Sequence, residues 1–106
     1  MRKYREIPPT EGVHLINQGA VVVDVRPSKD FGAGHVIGAR NIPVSELDGR
    51  MTELDKFKEQ PLIVCCDVGQ TSQKAAGTLI KHGFKAVHTI KGGIKAWQNE
   101  HLPLEH

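Results

Sequence analysis

Cys65 and Cys66 are the only thiols of the chain, and they stand where an apolar run turns into a small polar loop, "LIVCCDVGQTS" over 62–72. A cysteine acts as a nucleophile through its thiolate, which needs a local positive potential. The residues that follow offer one. Ser72 to His82 carries Ala75, Ala76, Leu79 and Ile80 at helical spacing and stops at Gly83, so the loop leads into a helix. A helix N-terminus presents unpaired N–H groups and roughly half a positive charge. Gly69 lets the chain turn tightly ahead of it, and Thr71 and Ser72 bring hydroxyl donors. Such a cradle stabilises an anion, and a thiolate at its centre is a nucleophile at neutral pH.

The two cysteines are not equivalent. Adjacent strand residues point to opposite faces, so Cys65 reads as a small buried hydrophobe and Cys66 as the thiol of the loop. A zinc site does not fit: neighbouring cysteines lack ligand spacing, and His14, His35, His82, His88 and His101 form no pattern to complete one. A disulfide between neighbours would close a strained ring, which favours a reducing compartment, by default the cytoplasm. Asp24 and Arg26, in "VVVDVRPS", leave the end of another apolar run. Asp24 reads as a carboxylate that accepts backbone N–H groups in a turn. For Arg26 two readings stand level, attraction of an anionic substrate and pairing with a neighbouring carboxylate. His35 reads as structural and Trp97 as a core anchor.

The elements that must position these groups follow from periodicity. Three β-branched runs, "AVVVDV" (20–25), "PLIVCC" (61–66) and "AVHTI" (86–90), are apolar enough to be strands buried on both faces. Pro9 to Gln18 predicts a helix that opens with proline, carries Glu11 in its first turn, buries Val13, Leu15 and Ile16, and stops at Gly19. Gly92 to Asn99 predicts another, and 45–57 one or two short helices around Gly49. "KYREI" fits an edge strand and "ARNIP" a short one. Strands alternating with helices imply a parallel sheet covered on both sides, whose functional crevice lies outside the strands' carboxyl ends. Cys66, Asp24 and Arg26 all belong at that edge.

Composition limits the rest. With 106 residues there is room for one domain, and 39% hydrophobic with 25% charged residues is an ordinary globular balance. The net charge of +2 is mild and the basic residues are scattered, so nucleic acid is not an expected partner. No apolar stretch reaches the ~20 residues of a membrane span, and the start lacks a signal-peptide core, so no membrane contact is expected of the chain as given. Leu104-Glu105-His106 matches the beginning of a vector-encoded Leu-Glu-polyhistidine tag and is set apart from the domain at 1–103. If that end is engineered, a membrane anchor preceding Met1 stays compatible with the chain.

From about Glu6 to Leu104 the chain resembles the rhodanese-like sulfurtransferase domains. Four segments carry the resemblance in order: "VVVDVRPSKDFGAGHVIGARNIP", "LIVCCDVGQTS", "AAGTLIKHGFKAVHTIKGGIKAW" and the closing "LP". Each is loose alone; together and correctly spaced they are specific. The resemblance implies a three-layer α/β/α rhodanese-like domain with a five-stranded parallel sheet. It implies a sulfurtransferase that moves a sulfane sulfur from thiosulfate or a persulfide to a thiol or cyanide acceptor. The sulfur would ride on Cys66 as a persulfide, held by the backbone of Asp67, Val68, Gly69, Gln70 and Thr71, with Arg26 beside the substrate and no cofactor. The expected partners are a small sulfur-donor anion or a low-molecular-weight persulfide and a thiol acceptor, a protein thiol included. The alternative within the family is a non-catalytic sulfur carrier or docking module.

Two departures qualify the resemblance. Members of the family that use thiosulfate well often carry basic residues just after the cysteine, whereas Asp67 stands there. At ~5 Å and an effective dielectric of 20, a like-charge contact costs on the order of 3 kcal/mol. Related phosphatases of the same fold need a longer loop closed by an arginine that clamps phosphate in two places. Here the residue six after Cys66 is Ser72.

Overall fold

The computed structural model describes residues 4–106. Its elements, numbered in chain order, are β1 (Arg5–Ile7), α1 (Pro9–Asn17), β2 (Val21–Asp24), α2 (Ser28–Ala33), β3 (His35–Val36) and β4 (Arg40–Asn41). Two stretches of 3-10 helix follow, Val44–Glu46 and Asp48–Phe57, then β5 (Pro61–Cys65), α3 (Gln70–Lys81), β6 (Ala86–Ile90), α4 (Gly93–Asn99) and β7 (Leu104–Glu105). The main sheet has five strands in the order β1-β6-β5-β2-β4, and every pairing is parallel. Central β5 explains its own sequence: Leu62 to Cys65 are all buried, because helices cover both faces. The expected edge strand at the start is β1; Lys3 lies outside the described residues.

Strand alternation divides the apolar side chains into two cores. Leu62 and Val64 point into one, with Val23, Val87, the α3 residues Ala75, Ala76 and Leu79, and Leu47, Met51 and Leu54. Ile63 and Cys65 point into the other, with Ile7, Val22, Ile90, Ile94 and Trp97. The layers are therefore α3 with the 3-10 helices, the sheet, and α1 with α4. The sheet count, the parallel pairing and the three layers expected from the sequence are all present.

Several expectations need correction. Val13, Leu15 and Ile16 are half-buried, not buried; α1 meets the sheet at Gly12, where an added Cβ would stand 2.8 Å from Ile90 Cδ1 and 3.2 Å from Trp97 Cζ3. The larger residues flank that contact line and stay partly open. The segment at 45–57 is 3-10 helix broken at Leu47 and not at Gly49. Met51, Leu54 and Phe57 recur every third residue, the period of a three-residue turn, and line up on the core. Helix α2 and the small antiparallel pair β3–β7 escaped the sequence reading altogether. In that pair Leu104 and Glu105 form the second strand, and Glu105 Oε1 accepts the Gly38 N–H at 2.9 Å. His35 is structural: its Nδ1 lies 2.8 Å from the Phe31 carbonyl and its ring stacks on Phe31 at 3.7 Å.

Candidate active site

Helix α3 begins at Gln70, two residues earlier than its apolar spacing predicts, so the loop proper is only Cys66 to Gly69. Gly69 turns the chain with φ +105°, a left-handed conformation that suits glycine. The turn brings its N–H to 3.0 Å from Cys66 Sγ. Among the described residues the N–H groups of Asp67, Val68, Gln70 and Thr71 donate to no protein acceptor. Gln70 and Thr71 belong to the open first turn of α3, so the segment that carries the thiol holds four N–H groups without a protein acceptor beside the Gly69 donor. Ser72 departs from expectation: it is fully buried, and its hydroxyl donates to the Gly69 carbonyl at 3.1 Å. It braces the turn and does not serve the cavity.

The loop is held from below by α4. Ile94 N–H donates to the Cys66 carbonyl at 2.9 Å and Lys95 N–H to the Asp67 carbonyl at 3.3 Å. Gly93 makes this docking possible, since an added Cβ would stand 2.5 Å from the Asp67 oxygen and 2.6 Å from the Cys66 oxygen, both backbone atoms. Its φ of +63° disfavours a side chain as well. Gly93→Ala is expected to push the loop off α4 and lower Cys66 reactivity about 10- to 100-fold, because a displacement near 1 Å is enough for that. Alkylation rates of the folded variant check it, with circular dichroism confirming the fold.

The cysteines separate as strand parity predicts. Cys65 belongs to the core shared with Ile63 and Trp97, Cys66 to the core shared with Val64 and Ala75. Burial pushes the Cys65 thiol far up, with Asp24 and Cys66 adding to the effect and Arg26 opposing it. The unfolded thiol ionises near its ordinary value while the native one stays protonated. The stability this holds is therefore intact below about pH 8.5 and is lost above it, at up to about 1.4 kcal/mol per pH unit. Denaturant titrations from pH 7 to 10 should show the decline, and Cys65→Ala should flatten it.

Cys66 is 2% exposed and opens on a cavity of about 230 Å³ lined by Val25, Arg26, Pro27, Asp30, Val44, Asp67 and Thr71. That is small for a ligand pocket and suits a few heavy atoms or one extended side chain. Arg26 turns its guanidinium to Asp24: Nε lies 3.0 and 3.1 Å from the two carboxylate oxygens and Nη2 lies 2.8 Å from Oδ2. Nη2 also donates to the Gly34 carbonyl at 2.7 Å, and the Arg26 backbone N–H donates to Asp24 Oδ1 at 3.0 Å. Burial lowers the Arg26 pKa, but the Asp24 hydrogen bonds and charge overcome it and hold the group above its ordinary value. Asn41 ties this corner to β4 by donating to the carbonyls of Asp24 and Arg26, each at 3.0 Å. Of the two readings of Arg26, the structure displays carboxylate pairing.

The sequence reading missed Asp30, Asn41 and Gly93. Asp30 reaches the cavity through α2, which is six residues long and buries none of them, so it has no periodic signal. Asn41 acts across strands, and only the doublet at Gly92-Gly93 was a visible mark. Val68, half-exposed, and Gln70 lie on the open side of the loop.

A thiol at the carboxyl edge of a parallel sheet, accepting a backbone N–H from a glycine turn just ahead of a helix, defines a class of α/β/α proteins built around a loop cysteine. The chain belongs within it to the family of the rhodanese-like domain, whose pattern matches residues 9–100. It is 38% identical over 101 residues to the thiosulfate sulfurtransferase GlpE of Pseudomonas fluorescens (strain SBW25), covering 92% of this chain and 88% of that one. It is 40% identical over 104 residues to the uncharacterized protein YibN of Escherichia coli (strain K12), covering 96% of this chain and 73% of that protein. A crystal structure of a rhodanese-related protein from Thermoplasma volcanium superposes with a TM-score of 0.87 at 29% identity, covering 96% of this chain and 98% of the other. No helix of the described residues is long and apolar enough to cross a membrane.

Proposed function

We propose that this chain is a sulfurtransferase in which Cys66 carries sulfur as a persulfide. The observation that carries the reading is the Gly69 N–H at 3.0 Å from Cys66 Sγ, in a loop whose Asp67, Val68, Gln70 and Thr71 N–H groups donate to no protein acceptor among the described residues. The Gly69 donor stabilises the thiolate, and the free N–H groups of the loop are available to the outer sulfur of the persulfide. The Cys66 thiolate attacks the sulfane sulfur of thiosulfate, the S–S bond breaks, and sulfite leaves with the electron pair. A cyanide or thiol acceptor then attacks the outer sulfur of the persulfide and regenerates the thiolate. Charges and atoms balance in both steps, and the proposed cycle needs no cofactor. A persulfide donor reacts in the same way, releasing its own thiolate. Arg26, its charge answered by Asp24, forms part of the cavity wall. The relatives named thiosulfate sulfurtransferase support the reaction class. Two free cysteines in the folded chain fit a reducing compartment, and we assign it to the cytoplasm.

Intact mass after incubation with thiosulfate, 3-mercaptopyruvate or a low-molecular-weight persulfide tests the reading. One sulfur adduct, removed by cyanide with formation of thiocyanate, is expected; no adduct from any donor would defeat it. The competing phosphatase chemistry makes the opposite prediction. With no arginine closing the loop and Ser72 turned to the Gly69 carbonyl, p-nitrophenyl phosphate should release no phosphate in a Cys66-dependent way.

A further inference from the structure

The cavity in front of Cys66 has an acidic mouth. Its charged lining consists of Arg26, Asp30 and Asp67, and the guanidinium already faces Asp24 at 2.8 Å. The pair Asp24–Arg26 is neutral as a unit, so Asp30 and Asp67 stand as two uncompensated carboxylates. Both are exposed, and neither forms a hydrogen bond through its side chain or a salt bridge among the described residues. Asp67 thus caps no N–H of the loop, and nothing ties it away from the opening. Asp30 is near enough to act on Arg26 electrostatically. They come from different elements: Asp67 follows the nucleophile, and Asp30 sits on α2. The adjoining depressions add no excess of positive charge. Glu46 lines one, and the other is lined by one lysine, Lys74, and one carboxylate, Asp48. Val44, shared by all three hollows, and Val68, half-exposed on the loop, give the rim its apolar part.

We infer that Asp30 and Asp67 together form a charge filter that selects a persulfide borne beside basic side chains, on a protein or peptide, over divalent sulfur oxyanions. This rests on the sulfur-transfer reading above and names its donor class. A dianion approaching the thiolate meets two like charges and one negative nucleophile, whereas lysines or arginines flanking a donor cysteine find two carboxylates with no other partner. The small cavity admits one extended cysteine persulfide side chain, and the valines at the rim accept the apolar surface around it. In the transfer the Cys66 thiolate attacks the outer sulfur of the donor persulfide. The donor S–S bond breaks, the donor leaves as its thiolate, and the outer sulfur with its proton passes to Cys66.

Charged methanethiosulfonates read the filter without sulfur transfer. On the Cys65→Ala protein, modification of Cys66 by the cationic aminoethyl and the anionic sulfonatoethyl reagents is compared. Each rate is divided by that with 2-mercaptoethanol, and rates with the neutral methyl reagent correct for loop disturbance. The cationic reagent is expected to be favoured by about tenfold at low salt. The preference should collapse toward unity in about 0.5 M salt, where the Debye length is a few Å, and in Asp30→Asn/Asp67→Asn. Asp30→Asn alone should remove part of it. A ratio near one in the parent, or one unchanged by the double substitution, overturns the filter. Sulfur loading is then measured with two peptide persulfides that differ only in lysine or glutamate beside the cysteine. Preference for the lysine peptide, lost in the double variant, supports the donor class. Loading without preference overturns this inference and leaves the sulfurtransferase intact; a charge-selective thiol that no donor loads defeats the sulfurtransferase reading instead.

Discussion

Cys66→Ser should abolish sulfur loading, at least about a thousandfold below the parent, while Cys65→Ala keeps most of it. The two residues are neighbours in sequence and chemically identical, so only structure distinguishes them. Cys66 opens on the cavity and accepts the Gly69 N–H at 3.0 Å. Cys65 lies in the opposite core among Ile63, Ile90 and Trp97, where burial keeps its thiol protonated. Serine at position 66 preserves the size and the hydrogen bond but replaces a thiolate by a hydroxyl that stays protonated at neutral pH and is a poor nucleophile toward sulfur. Alanine at 65 removes one sulfur from a packed face and should lower stability by about 1–2 kcal/mol without moving the loop. Intact mass after donor treatment, with thiocyanate release measured in parallel, gives both numbers. Equal loss in the two variants would mean that the thiols act together, and the single-nucleophile mechanism would fall.

The contrast between these cysteines was legible in the sequence because strand parity is a local rule. So were β5, β6 and the sheet as a whole: an apolar β-branched run has few other uses. The helix of the cysteine loop was legible in kind but not in its start, since Gln70 and Thr71 are polar and exposed, and the apolar stripe that announces a helix begins only at Ala75. What remained hidden depended on pairs far apart in the chain. Gly93 matters for two carbonyls at 66 and 67, Asp30 for a cavity whose other walls come from residues 25–27 after β2, from Val44 and from the cysteine loop with the start of α3, and Asn41 for carbonyls at 24 and 26. The 3-10 stretch at 48–57 was ambiguous because its three-residue period overlaps the spacing of an amphipathic α-helix over so short a span.

Arg26→Met should cost about 3–5 kcal/mol, because it leaves the carboxylate of Asp24 buried and without its counter-charge. Asp24 has no exposed surface, and the Arg26 side chain is only 9% exposed. For a domain of this size the loss corresponds to a fall in Tm of roughly 15–30 °C. Asp24→Leu/Arg26→Met should recover more than half of it, since removing both charges also removes their desolvation. The same proteins decide what Arg26 does for substrate. Its Nε and Nη2 are held by Asp24 and the Gly34 carbonyl, so the group has little positive field to offer a donor. Sulfur loading of the double variant, measured well below its melting point, should therefore fall by one common factor with thiosulfate and with an uncharged persulfide, the factor that a loosened cavity wall produces. A loss confined to thiosulfate would assign Arg26 to anion capture, and the neutral pair on which the acidic mouth depends would no longer be neutral in effect.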